Sequence, residues 1–137
     1  MRRAIFFLIL ILVINTVGMY YRWYDSFGWF DTALHFSGGF FVAMLFAHYL
    51  PERISSDHIL KDILIVVGVA VFIGVIWEFA EYLGSQLLVE PIYKYYKIRA
   101  YFIGDLSDTI KDLFMDTLGA LSYALIWLKT RKRVTSS

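Results

Sequence analysis

The chain contains no cysteine, which excludes disulfides, thiolate nucleophiles and thiolate metal sites together. Charge is also scarce. Only 18% of the 137 residues are charged, and a formal net charge of +1 points to no class of partner. Internal repeats and low-complexity tracts are missing, and SGG at 37–39 has neither the preceding strand nor the following lysine of a phosphate loop. The opening MRRAIFFLILILVINTVGMYY has the basic start and apolar run of a secretory signal, but no small-x-small cleavage site follows. It is therefore expected to stay in the protein as a helix.

What fills the space left by charge is hydrocarbon. Hydrophobic residues make up 59% of the chain and aromatics 19%, in longer apolar runs than a soluble core of this size needs. The runs predict an all-α integral membrane protein, a four-helix bundle forming one transmembrane domain over residues 1–137. Its spans are expected near 3–21, 31–50, 62–88 and 107–129, each long enough for ~30 Å of hydrocarbon at ~1.5 Å per residue. The positive-inside rule sets the orientation. With a cytoplasmic N-terminus, that side holds Arg2, Arg3, Arg53, Lys61, Lys129, Arg131, Lys132 and Arg133, against Arg22, Lys94, Lys97 and Arg99 on the other. Eight against four favours both termini in the cytoplasm, in a multi-pass protein of the inner cell membrane.

Against this background GDLSDTIKDLFMDTLGA, residues 104–120, is unexpected, because four acids lead directly into a span. Asp105 and Asp108 suit the positive end of a helix dipole. Asp112 and Asp116 lie too far in for that, roughly 6 and 12 Å deeper than Asp108. In the expected topology Glu78 and Glu81 of IWEFAEYLGS and Asp31 and His35 of FDTALHFSGGFF fall in the same outer half of the membrane. Each set shares a helix face with small residues, which let membrane helices approach closely, so the acids are expected to face inward. Leu113, Phe114, Leu118 and Ile126 fall on the opposite, lipid-suited face.

Asp112, Asp116 and Glu78 together would cost on the order of 5 to 10 kcal/mol if uncompensated. Lys111 and His35 are too few to balance six acids, whereas one divalent cation would neutralise the cluster and use its ligands. Asp31, His35, Glu78, Glu81, Asp108, Asp112 and Asp116 are the candidate ligands. Carboxylates with one imidazole favour Mg, Mn, Ca, Fe or Zn over copper, and the missing Glu-x-x-His repeat argues against a di-iron bundle. His48 and His58 fall near the cytoplasmic side and receive no role. In the segment EPIYKYYKIRAYFIG, expected as a loop, tyrosines alternate with Lys94, Lys97 and Arg99. The plain reading is an interfacial aromatic belt, which Trp23, Tyr24, Trp29 and Phe30 extend; the sharper one is a set of bases holding an anionic lipid phosphate over the acids.

FDxxxHFxGGF, WEFxEY and GDxxDTxxDxxxDxxGA, in that order, resemble the motifs of the YjdF-like inner-membrane proteins. A looser likeness to the VanZ-type membrane proteins, associated with glycopeptide resistance, covers the His and Asp helices. The resemblance spans about residues 30 to 120 and implies a shared polar site at Asp31, His35, Glu78, Glu81, Asp105, Asp108, Asp112 and Asp116, without implying an activity. Typical YjdF-like proteins carry further N-terminal spans, which leaves open whether this chain works as a homo-oligomer.

Three functions fit these residues. The first is a metal-dependent hydrolase or transferase acting on a lipid or lipid-linked phosphate, with His35, Glu81 or Asp108 as general base. The second is a proton or cation transporter, although the cytoplasmic halves VAMLFAHYL and ILIVVGVAVFIG offer no polar continuation. The third is a structural subunit whose cluster only orders the helices.

Overall fold

Long apolar runs form helices wherever no backbone group can rely on water, and the chain follows that rule. The computed structural model describes residues 1–50, 54, 58–102 and 104–135, the last five by backbone alone. Arg53 of the charge count lies outside the described residues, as do the side chains of Arg131, Lys132 and Arg133. Among the described residues there are six helices and no strand: α1 (Arg2–Tyr20), α2 (Trp23–Ser26), α3 (Phe30–Tyr49), α4 (Ile59–Leu87), α5 (Val89–Tyr96) and α6 (Leu106–Thr135). Three of them, α1, α3 and α4, are long and apolar enough to cross a membrane. The fourth expected span coincides with α6, which is 30 residues long but carries the acids that lower its apolar content.

Most boundaries differ from the sequence expectation by a residue, because apolar pattern marks a helix better than its ends. Larger differences have local causes. Helix α4 begins at Ile59, three residues before Asp62, which leaves Asp62 in its first turn and fully buried. The segment expected as a loop after α4 contains α5, in which Val89, Ile92, Tyr93 and Tyr96 recur at helical spacing. Lys97 then closes α5 in a left-handed conformation, φ 58°.

Helix α3 is the hub, lying against α1, α4 and α6, while α4 also packs on α6. Paired contacts give the directions. Gly18 meets Phe30 and Phe7 stacks on Phe41 at 4.5 Å, so α1 and α3 are antiparallel. His35 lies beside Asp116 and Phe40 beside Tyr123, so α3 and α6 run parallel. Helix α4 opposes both, bringing Glu78 to His35 and Gly74 to Asp116. The α3–α6 crossing depends on two glycines. A Cβ on Gly39 would overlap the backbone of Asp116, and one on Gly119 would overlap the Phe36 carbonyl. Hydrogen at both positions lets the two backbones touch, which brings the inward faces of both helices within side-chain reach of each other.

Below this crossing the core is built mainly of small and branched residues, among them Val42, Ala43, Ala47, Val66, Ala70 and Ala120, packed around the ring of Tyr123. Many large side chains point the other way: Phe72, Phe79 and Phe114 are each at least 60% exposed. Ile126 joins them, while Leu113 and Leu118 are half-buried. Such an inside-out distribution suits a protein whose solvent is lipid, where apolar exposure carries no cost.

Candidate functional site

The acids meet at one end of the helices, around His35. This imidazole is 5% exposed and projects from the second turn of α3, one turn below Asp31. Its Nδ1 lies 3.4 Å from Asp116 Oδ2 on α6. Its Nε2 lies 3.7 Å from Asp31 Oδ1 and 3.9 Å from Glu78 Oε1 on α4. Asp116 stands against α3 and α4 at once, close to Gly38, Gly39 and Gly74, where a Cβ at Gly74 would collide with its carboxylate.

Two groups of donors have the spacing a metal ion needs. Asp31, His35 and Asp112 form one and His35, Glu78 and Glu81 the other, with the ligand atoms of each within 4.8 Å of one another. Donors bound at about 2.0 to 2.5 Å to one ion stand no more than about 5 Å apart, so both groups pass that test. Because they share one imidazole, they describe a single site with alternative partners. Glu78 and Asp112 are 5% and 3% exposed, yet Glu78 Oε1 and Asp112 Oδ1 accept no hydrogen bond. Each has only a longer-range contact, Asp112 Oδ1 with Lys111 Nζ at 3.7 Å and Glu78 Oε1 with His35 Nε2 at 3.9 Å, which does not replace lost hydration, and a cation at the site would supply what is missing. The donor chemistry therefore fits a divalent ion.

The remaining expected residues fall around this centre. Glu81 is half-buried and faces a cavity beside His35. Asp108 belongs to neither donor group. Its carboxylate accepts from Lys111 Nζ at 2.5 Å and from the Tyr101 hydroxyl at 3.1 Å. Lys111 also reaches Asp112 at 3.7 Å and Asp31 at 4.0 Å, so a single ammonium at the rim touches three acids. Asp105 caps α6, its Oδ1 accepting the Asp108 backbone N–H at 3.0 Å, and it stays exposed.

Two tyrosines read from the sequence as belt residues stand over the acids, Tyr24 half-buried and Tyr101 at the exposed rim. Tyr24 donates to Asn15 Oδ1 at 2.6 Å and stacks on Tyr101, ring centres 5.2 Å apart. Burial, and then the Asp31 charge, raises the Tyr24 phenol above its usual range, and burial with Asp108 pushes Tyr101 up to about 12. Both therefore remain protonated donors at neutral pH. No helical period marks them, since α2 and the segment before α6 are too short for one; only their position beside FDTALHF and GDLSD offered a hint.

The cavity occupies ≈280 Å³ between α1, α3 and α4. Asn15, Tyr24, Asp31, His35, Glu81 and Asp116 line one end, and Leu8, Leu12, Val42, Ala70 and Ile73 the other.

The comparisons with known proteins agree with a membrane assignment. An "Uncharacterized protein" of Thermotoga maritima is 30% identical over 113 residues, which cover 82% of this chain and 54% of that protein. The chain thus spans about half the length of this curated relative. No solved structure matches. A family model described as "Predicted membrane protein (DUF2238)" matches residues 2–133, nearly the whole chain, and by that match the protein belongs to the DUF2238 family of membrane proteins.

Proposed function

We propose that the protein is a metal-dependent enzyme of the inner membrane that acts on a lipid or lipid-linked phosphate at the extracytoplasmic face. The observation that carries this reading is the pair of buried oxygens without a hydrogen bond, Glu78 Oε1 and Asp112 Oδ1, in donor groups that meet at one imidazole. Asp31, His35, Glu78 and Asp112 would hold the ion. Asp116, on the Nδ1 side of His35, would fix the ring and leave Nε2 free for the metal, the role a carboxylate commonly plays behind a ligating histidine. Glu81 is the favoured general base, because it is half-buried and faces the cavity, whereas Asp108 is engaged by Lys111 and Tyr101. A divalent ion here would polarise a phosphoryl oxygen and shield its charge from the acids.

In this reading α6 is a fourth span and both termini are cytoplasmic. The charge distribution and the alternating directions of α1, α3, α4 and α6 support that topology. Lys94, Lys97 and Arg99, on and after α5, would meet anionic headgroups above the site. The YjdF-like resemblance is compatible with membership of this family. A homo-oligomer remains part of the proposal. Transport is less well supported, because the cavity ends against Val42 and Ala70, and the buried polar residues beyond them, Asp62 and Tyr123, are separated from the acids along α4 and α6 by Val66, Ala70 and Ala120.

Elemental analysis of detergent-purified protein tests the reading. Near-stoichiometric divalent metal is expected, falling at least tenfold in Asp112→Asn and Glu78→Gln. Wild-type protein that is stable and takes up no divalent ion from a metal-supplemented buffer would leave the acids with a structural role only.

A further inference from the structure

Among the described residues the backbone of α1 approaches those of α2 and α3 and not that of α4. The cavity lies in this fork. Its floor is the glycine-bearing face of α3, and its two walls belong to helices whose backbones stay apart. A gap between two membrane helices has acyl chains beside it.

The lining is sorted by depth on all three helices. Moving along α1 from Asn15 to Leu8, along α3 from Asp31 to Val42 and along α4 from Glu81 to Ala70, polar groups give way to aliphatic ones in step. The rise of α3 over that interval is about 16 Å, so the ≈280 Å³ is drawn out along the helices as a narrow slot whose shape suits an extended hydrocarbon chain. Apolar walls of this kind would not hold water.

We infer that the fork between α1 and α4 is a lateral port that seats a single acyl or prenyl chain of a lipid phosphate, with the headgroup held at the His35 end. The inference rests on the proposed lipid-phosphate activity for its headgroup but on the cavity alone for its tail. Moving a chain from bilayer to groove exchanges one apolar environment for another, so the groove adds little affinity. Its contribution is alignment: a chain threaded past Val42 and Ile73 places its phosphate beside Glu81 and the metal ligands. Substrates with one accessible chain of about this length would be aligned best. Gly38 lines the groove, with only Asp116 within 4 Å of a Cβ built on it, so a larger side chain there would occupy the channel.

Phosphatidic acid carrying a photoreactive diazirine at one chain end tests this in detergent micelles, with cross-linked peptides mapped by mass spectrometry. Labelling is expected to concentrate on the groove positions Leu8, Leu12 and Ile73, at least fivefold above the outward-facing Phe72 and Phe114. Gly38→Phe should reduce groove labelling at least fivefold. Leu12→Trp, at a half-exposed position of α1, gives the same reading should Gly38→Phe fail to fold. Uniform labelling of all apolar faces, or groove labelling untouched by a folded blocking variant, overturns the port. Because the chain has no native cysteine, Leu12→Cys provides a further check, and its efficient disulfide cross-linking between copies without groove labelling would assign the fork to a second subunit and overturn the port. Metal content measured on the same samples keeps the two ideas apart. Focused labelling in metal-free wild-type protein upholds the port while refuting the enzyme reading, and full metal content with unfocused labelling does the reverse.

Discussion

Glu78→Gln should change the sign of its effect on stability with the metal. Glu78 is 5% exposed, and its Oε1 has no hydrogen-bond partner, standing 3.9 Å from His35 Nε2. With a chelator present, wild-type protein keeps a buried carboxylate that is poorly compensated. The amide removes that charge at nearly equal volume and should gain about 1 to 3 kcal/mol. With excess divalent ion the balance reverses, since a ligand present at about 1,000 times its dissociation constant stabilises the folded state by about 4.1 kcal/mol. The variant, short of one charged ligand, would lose most of that. Wild type should therefore unfold at the higher temperature in metal and at the lower one in chelator. The assay is a thermal-shift series in detergent, wild type and variant side by side, in chelator and in a panel of Mg, Mn, Ca, Fe and Zn. Curves that keep the same order in every condition would refute the reasoning, because the order can invert only if the ion contacts this carboxylate or a group it positions.

Four other outcomes follow from the geometry. Lys111→Gln removes a competing ammonium 3.7 Å from Asp112 and 4.0 Å from Asp31, and should raise divalent affinity about fivefold to tenfold at low salt, read by competition with a fluorescent chelator. Asp116→Asn should weaken metal binding about 10-fold to 100-fold with little loss of fold, whereas equal weakening in the distant Asp105→Asn would deny Asp116 its orienting role. Gly39→Val should destabilise by about 3 kcal/mol or more, because its side chain would enter the Asp116 backbone, while Gly28→Ala, with open space around its Cβ, should be near neutral; thermal unfolding compares them. The Tyr101 phenol, raised from 10.0 to about 12, favours the folded state while protonated, so its contribution is intact below pH 10 and lost as pH climbs toward 12. Tyr101→Phe should flatten that part of the stability profile, checked by alkaline unfolding.

Part of the site was legible because α-helical spacing fixes both angle and depth. Asp31 and His35, Glu78 and Glu81, and Asp112 and Asp116 could be assigned to inward faces at one level from their intervals alone, and they do lie around one imidazole. Asp108 shows the limit of that logic. It shares the stripe but is drawn off by Lys111 and Tyr101, a choice among nearby partners that spacing does not encode. Tyr24 looked like any interfacial tyrosine, and its inward turn comes from a left-handed residue at Arg22 and a four-residue helix that periodicity cannot see. Helix α5 was hidden for the opposite reason, since alternating tyrosines and bases resemble an interfacial loop as much as an amphipathic turn.

By itself the sequence determined the helical class, the membrane setting and the inward faces, because the cost of exposing peptide groups or charge to hydrocarbon is set by composition and period before any packing occurs. Tertiary structure alone decided that Gly39 and Gly119 bring α3 and α6 into backbone contact, that two donor groups share His35, and that α1 leaves a gap beside α4. These depend on which helix neighbours which and how closely, and close approach is a property of pairs of surfaces that no single segment carries.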